Sequence, residues 1–246
     1  MDRTKYRLRQ TIGVLSLALA GGTAFAQQPS SCSVQQYNMS IKFQNRSAEI
    51  QALQLQAYNL ATYRLKDILQ QHPDAKNLAI VTDLDETVLD NSDVFVHDLK
   101  QCEDYTQWKS WDAWEKSGQP ELIAGSLAFL QFADQQGVKI FYVSDRSEKY
   151  RTSTLHALRQ LKLPQVKTEQ ILLYGTSKEQ RRQSVAKNYQ IVLLLGDTLH
   201  DFSPEFSNQQ SKQERVSAVS QNKSKFGYEY IVLPNVSYGA WSQDNP

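Results

Sequence analysis

Two short segments carry carboxylates at spacings that suit group-transfer chemistry. Asp83-Leu84-Asp85-Glu86-Thr87 places two aspartates two residues apart. Such a pair can divide labour, one as nucleophile and the other as proton donor and acceptor. Gly196-Asp197-Thr198-Leu199-His200-Asp201 supplies two more aspartates. Between these segments stand Ser144-Asp145-Arg146 and Ser177-Lys178-Glu179, which offer a hydroxyl and an ammonium. Asp83, Asp85, Asp197 and Asp201 gathered at one place would repel one another unless a cation neutralised them, and clustered hard oxygen ligands favour Mg2+. Ser144 and Lys178 at the same rim suit a phosphoryl group whose charge is spread over three oxygens. Each signal alone is ordinary, since an isolated DxD is commonly a loop acid and Gly-Asp a turn. Their joint occurrence, in this order, carries the reading.

The elements that must position these groups alternate along the chain. Apolar runs at 78–81, 138–143, 171–174, 191–195 and 230–233 read as strands. Helical spacing marks 45–71, 121–136, 147–161 and 177–187. Buried apolar strands alternating with helices predict an α/β fold, a doubly wound Rossmann-like parallel sheet with helices on both faces. An N-terminal helical arm precedes it. The stretch 90–120 is polar and Trp-rich without a clear period and reads as a small cap insertion, and 203–226 reads as a polar connection. In open α/β sheets ligands collect at the carboxyl ends of the strands. The acidic segments and Ser144 follow predicted strands there, and Lys178 opens a predicted helix that can point at the same edge.

Composition narrows the class. The chain has 246 residues, 27 Lys and Arg against 26 Asp and Glu, and 40% apolar residues. That mixture is globular, and its near-zero net charge without a dense basic tract argues against a nucleic acid polymer as partner. Residues 1–26 read as an export signal: Arg3, Lys5, Arg7 and Arg9, an apolar stretch at 11–22, then Ala24-Phe25-Ala26 as a cleavage site. The remaining 27–246 reads as one catalytic domain with its cap insertion at about 90–120. Cys32 does not directly follow the apolar core, so a secreted or periplasmic product without a stable membrane anchor is expected. Cys32 and Cys102 then meet an oxidising compartment, and the sequence leaves their pairing open.

The residues together are recognisable. Asp83-Leu84-Asp85-Glu86-Thr87, Ser144, Lys178 and Gly196-Asp197-x-x-x-Asp201 resemble the haloacid dehalogenase (HAD) superfamily of aspartyl-phosphate phosphatases. The similarity is greater to its secreted branch, the class C nonspecific acid phosphatases, through Leu89-Asp90-Asn91-Ser92, Lys225-Phe226-Gly227 and Leu233-Pro234-Asn235-x-x-Tyr238-Gly239-x-Trp241. The resemblance spans about residues 75–242. It implies Mg2+-dependent hydrolysis of phosphate monoesters at acid pH, with broad specificity that includes nucleoside 5'-monophosphates and aryl phosphates. Asp83 would be the nucleophile, Asp85 the general acid and then base, and Ser144 and Lys178 the phosphate ligands. Asp83, the backbone carbonyl of Asp85, and Asp197 would hold Mg2+, with Asp201 orienting that shell and Thr87 bracing the loop. Trp111 and Tyr238 fall where family members flank a nucleobase or aryl leaving group. One departure stands out: Asp145 occupies a place where the family pattern leads one to expect Asn. Trp114 is expected in a small aromatic core, His200 facing solvent or behind the site, and Arg181 and Arg182 on a solvated helix face. A phosphotransferase using the same intermediate and a periplasmic nucleotide-binding protein without turnover are the alternatives. Oligomeric state is open, a homodimer included.

Overall fold

The apolar run that ends in Asp83 becomes the middle strand of a parallel sheet, and the rest of the chain is arranged around it. The computed structural model describes residues 32–207 and 209–244, so the export signal read over 1–26 lies outside the described residues. The compact unit that carries the sheet begins at Ser33. Its elements open with α1 (Asn38–Gln44), α2 (Ala48–Gln71), β1 (Leu78–Thr82), β2 (Leu89–Asp90) and α3 (Ser92–Lys100). They continue with α4 (Trp111–Ser117), β3 (Glu121–Leu122), α5 (Ser126–Gln135), β4 (Lys139–Val143) and α6 (Arg151–Gln160). Last come β5 (Ile171–Leu172), α7 (Lys178–Ala186), β6 (Gln190–Gly196), α8 (Lys212–Gln221) and β7 (Tyr230–Val232). Neither cysteine is free, and both Cys32 and Cys102 are disulfide-bonded.

The main sheet has the order β5-β4-β1-β6-β7, with every neighbouring pair parallel. Strand β1 therefore has β4 on one side and β6 on the other, and the chain winds outward from it in both directions. That reversal is the topological switch point at which α/β sheets bind ligands. Side chains alternate between faces along each strand. Leu78, Ile80, Ile140, Tyr142, Leu193 and Leu195 pack with α2, α5 and α6 residues such as Leu65, Phe129 and Leu158. Ala79, Val81, Phe141 and Val143 pack on the other face with Val185 of α7. Both faces are covered, which is why these strands read as continuous apolar runs. No helix among the described residues is long and apolar enough to cross a membrane.

Three sequence expectations need correction. The stretch 90–120 holds regular structure despite its unclear period: it contains α3, which buries Val94 and Phe95, and α4. The helix expected over 121–136 is shorter. Glu121 and Leu122 pair antiparallel with Asp90 and Leu89 to close a two-stranded ribbon at the base of the insertion, and Gly125 at φ 90° starts α5 at Ser126. The polar connection 203–226 contains α8, which buries only Arg215 and Ala218 and so shows no apolar stripe. Trp114, as expected, packs in an aromatic cluster with Phe95 and Tyr105.

Candidate active site

The segment after β1 is held rigidly before any side chain is considered. Asp83 N–H donates to the Leu195 carbonyl at 2.9 Å, tying it to β6, while Glu86 N–H donates to Leu89 O and Val88 N–H to Leu84 O, both at 2.8 Å. Glu86 takes a left-handed φ of 55°, which turns the chain back on itself. The Tyr58 hydroxyl, fully buried on α2, donates to Thr87 O at 2.6 Å. After β6, Thr198 caps a short turn: its N–H and hydroxyl donate to Asp201 Oδ2 at 3.0 and 2.8 Å. Gly196 makes this possible, because a Cβ there would lie 2.3 Å from Asp201 Cβ and 2.4 Å from its Oδ2.

Lys178 is the first residue of α7, and its place is set by a capping box in which Ser177 Oγ accepts from Gln180 N–H and the Gln180 side chain accepts from Ser177 N–H. An ammonium at a helix N-terminus works against the helix dipole. It is offset here by two buried ion pairs, to Asp83 Oδ1 at 2.7 Å and to Asp201 Oδ1 at 2.5 Å. Burial would lower the Lys178 pKa, but Asp201, Asp83 and Asp145 together raise it, so the ammonium stays charged.

Asp83, Asp197 and Asp201 offer carboxylate oxygens that all lie within 4.8 Å of one another. Asp197 is held from two sides, by Thr87 Oγ1 at 3.1 Å and Asn235 Nδ2 at 2.7 Å. Burial and the neighbouring Asp201 raise the pKa of Asp197 well above the usual carboxylate range, and burial likewise raises Asp83 against the pull of Lys178. Asp201 goes the other way: burial is outweighed by Lys178, His200 and Thr198, and its pKa is lowered. Three converging carboxylates against one ammonium leave a net negative charge that fits a divalent cation. Asp83, Asp197 and Asp201 could hold one.

Asp85 faces a different partner. Arg146, buried, donates to Asp85 Oδ1 through Nη2 at 2.7 Å and through Nε at 2.9 Å, and Asn91 Nδ2 donates to the same oxygen at 3.0 Å. The Ser144 hydroxyl donates to Asp85 Oδ2 at 3.3 Å and accepts from Arg146 N–H at 3.1 Å. Ser144 is fully buried and its hydroxyl is turned toward Asp85, while Arg146 and Asp145 line the cleft.

The expectation for Arg181 and Arg182 was wrong. Both are buried and clamp the loops that carry the site. Arg181 Nη1 donates to Ser144 O at 2.6 Å and Leu172 O at 3.0 Å, and its Nη2 meets Asp145 Oδ1. Arg182 Nη1 donates to Asp201 O at 2.6 Å. Asp145 therefore has a partner, and a second in His200, whose Nε2 lies 3.5 Å from Asp145 Oδ2 while Nδ1 meets Thr198 Oγ1 at 3.0 Å. Burial is outweighed by His200, Lys178 and Arg181, which hold the Asp145 pKa well below the usual carboxylate range. His200 is a third exposed and lines the cleft rather than facing away from it.

The cleft above these groups encloses about 200 Å³ and is walled by Trp108, Trp111 and Tyr238. The Trp108 ring contacts Trp111 and Tyr238 edge-on, at 5.3 and 4.9 Å between centroids. Trp111 stacks on Phe95 at 6.3 Å and 7°. Tyr238 donates its hydroxyl to Glu86 Oε2, and Glu86 Oε1 accepts from Asn91 N–H at 3.0 Å. Burial and Asp85 push the Glu86 pKa up to about 8 despite these donors. A larger groove of about 600 Å³ beside His97 and Trp114 gathers no comparable set of carboxylates.

The structure thus brings Asp83, Asp85, Lys178, Asp197, Trp111 and Tyr238 to one cleft, with Asp201 beneath it and Ser144 behind Asp85. Sequence reasoning gave no site role to Arg146, Arg181, Arg182, Glu86 or Trp108. Arg181 and Arg182 follow Lys178 by three and four residues, which puts them on the same helix face. That spacing was the available signal.

Comparison with known proteins agrees with the geometry. The family model described as HAD superfamily, subfamily IIIB (acid phosphatase), matches residues 10–241. A solved structure of the class C acid phosphatase from Bacillus anthracis is similar, with TM-score 0.79 and 36% identity, covering 84% of this chain and 86% of that one. A second structure of that Bacillus anthracis enzyme, with tungstate bound, is similar at TM-score 0.79 and 35% identity over the same shares.

Proposed function

Because the chain belongs to the HAD superfamily, subfamily IIIB, of acid phosphatases, and such enzymes take small phosphomonoesters and a divalent metal, we propose that it is a Mg2+-dependent phosphatase acting through an aspartyl-phosphate on Asp83. The observation that carries this reading is Lys178 Nζ bridging Asp83 and Asp201 at 2.7 and 2.5 Å beside Asp197, on the floor of an aromatic-walled cleft. A tetrahedral oxyanion fits such a floor, and the Bacillus anthracis relative is described with tungstate, an oxyanion of that shape.

When bound by Asp83, Asp197, Asp201 and the Asp85 carbonyl, Mg2+ would neutralise the carboxylates and the incoming phosphate. The protein's own groups do the rest. An Asp83 carboxylate oxygen attacks phosphorus, the bond from phosphorus to the leaving oxygen breaks, and the Asp85 carboxyl gives its proton to the departing alkoxide. Arg146 and Asn91 hold Asp85 in place for that transfer. Water then attacks the same phosphorus, Asp85 takes its proton, and the bond to Asp83 breaks to release inorganic phosphate. Lys178 holds a phosphoryl oxygen, joined by Ser144 once its hydroxyl swings from Asp85.

Trp111 and Tyr238 flank an aromatic leaving group, so nucleoside 5'-monophosphates and aryl phosphates are substrates. Residues 1–26 direct export, to be checked by N-terminal sequencing of the exported product. The decisive test is phosphate release at mildly acid pH from a nucleoside 5'-monophosphate and an aryl phosphate, comparing Mg2+ with chelator and wild type with Asp83→Asn. Turnover that needs the metal and vanishes in Asp83→Asn is the expected result. Full activity in Asp83→Asn would refute the intermediate. Added alcohol that captured most of the phosphate would favour a transferase.

A further inference from the structure

One buried carboxylate connects the aromatic wall to the phosphate end of the cleft without belonging to either. Glu115 lies on α4, one turn after Trp111, and is buried. Its Oε1 accepts the Trp111 indole N–H at 2.7 Å, and its Oε2 accepts the Ser147 backbone N–H at 2.8 Å. Ser147 directly follows Arg146, which grips Asp85. Behind Trp111, Phe95 stacks nearly parallel, at 7°. Stacking fixes the plane of a ring but lets it slide and turn within that plane, whereas an N–H···O bond is directional. Burying a carboxylate is costly unless its oxygens are satisfied, and here each oxygen is matched to a donor on a different part of the site.

We propose that Glu115 is a specificity-positioning residue that sets the distance between the Trp111 ring and the phosphoryl site, and so selects leaving groups with an aromatic ring at that reach. The inference rests on the reading above in which Trp111 contacts the leaving group. Small aliphatic phosphates do not reach the wall and are indifferent to it.

Steady-state kinetics of the full-length Mg2+-loaded enzyme test this with phenyl phosphate and glycerol phosphate, on Glu115→Gln, Trp111→Phe, their double variant and Trp111→Ala. Trp111→Phe keeps a six-membered aromatic ring but loses the N–H together with the pyrrole half of the indole. Partial loss of the stacking contact should raise KM for phenyl phosphate roughly five- to tenfold. Glu115→Gln should show this rise with kcat within about twofold, and glycerol phosphate kinetics should not change in Glu115→Gln. The double variant should be no worse than either single change, because Gln can accept from only one of Trp111 and Ser147, so both changes break the same Trp111–Glu115–Ser147 link. Equal effects of Glu115→Gln on both substrates, or additive effects in the double variant, would overturn the positioning role. If Trp111→Ala leaves the ratio of the two substrates unchanged, the leaving-group reading itself fails, and the proposal with it. A ratio that falls in Trp111→Ala but not in Trp111→Phe or Glu115→Gln would overturn the positioning role alone. Melting temperatures of all variants identify any loss that is merely one of folding.

Discussion

Replacing Lys178 by methionine isolates the electrostatics of the site while roughly conserving side-chain volume. Lys178, Asp83 and Asp201 are at most 7% exposed as side chains, and the two ion pairs are 2.7 and 2.5 Å long. Removing one partner of a buried ion pair typically costs about 3–5 kcal/mol, because the charge left behind has neither water nor counterion. For a domain of this size each kcal/mol moves the melting temperature by about 2–4 °C. Lys178→Met should therefore melt roughly 6–20 °C below wild type in chelator at neutral pH. The deficit should depend on pH with a definite sign. In wild type the Asp201 pKa is lowered, so its contribution is present above the unfolded carboxylate range and lost as pH falls through its folded value. Without Lys178, burial and mutual repulsion raise Asp83 beyond its already raised value and lift Asp201 as well. The folded state then binds more protons than the unfolded one, and the variant gains stability as pH falls. The gap between variant and wild type should narrow from pH 7.5 toward pH 4.5. Calorimetry across that range in chelator, then with Mg2+ added, measures it, and Mg2+ should restore part of the loss. A deficit under 2 °C at neutral pH, or one that widens on acidification, would refute the electrostatic account.

Three further outcomes follow from particular contacts. Gly196→Ala places a Cβ 2.3 Å from Asp201 Cβ, so about 1–3 kcal/mol of strain and a weaker Mg2+ activation constant are expected, read by melting and by metal titration of activity. Arg181→Lys should not substitute for arginine, because the guanidinium serves the Ser144 carbonyl, the Leu172 carbonyl and Asp145 at once. A loss of about 1.5–3 kcal/mol is expected from denaturant melts, and wild-type stability would contradict the clamp. Tyr238→Phe keeps the ring but strips a donor from the buried Glu86 carboxyl, which should cost about 1–3 kcal/mol by thermal unfolding and leave Glu86→Gln less damaging in that background than in wild type.

How far the molecule was legible before its structure depends on what each segment buries. The strands were legible because Leu78, Ala79, Ile80 and Val81 are buried on alternate faces of a sheet covered on both sides, which leaves a continuous apolar run. Their C-terminal ends then located Asp83, Asp85 and Asp197 without further information. Helices α3, α4 and α8 were not legible, for the opposite reason. Two or three turns that bury Val94 and Phe95, or Arg215 and Ala218, give no stripe for periodicity to find. Arg181 and Arg182 were misjudged by residue type, since charged side chains three and four places after an ordinary lysine belong on a wet face. After a buried lysine the same spacing turns them inward, and their guanidinium groups bond the backbone carbonyls of the loops that carry the site. Asp145 was visible only as a departure from a pattern. Its meaning lies in Arg181 and His200, which no local spacing connects to it.

The distribution of buried charge explains why these corrections matter for the chemistry. Asp83, Asp85, Glu86, Asp197 and Asp201 crowd one end of the sheet, and the nearby buried cations are Lys178, Arg146, Arg181 and Arg182. Arg181 bonds Asp145 at the rim, and Arg182 bonds Glu179 on its own helix, so neither neutralises the converging carboxylates directly. Arg146 answers Asp85, and Lys178 is shared between Asp83 and Asp201. Glu86 is met by neutral donors from Tyr238 and Asn91, and Asp197 by Thr87 and Asn235. The uncompensated charge therefore lies at Asp83 and Asp197, and burial with mutual repulsion raises the pKa of both. These two belong to the group of carboxylates that converges within 4.8 Å. A divalent cation there would cancel the repulsion that a phosphate dianion would otherwise meet. Had Arg181 or Arg182 pointed into the cleft, as catalytic cations rather than clamps on backbone carbonyls, the deficit would have been filled by protein and the case for a metal at this position would be weaker.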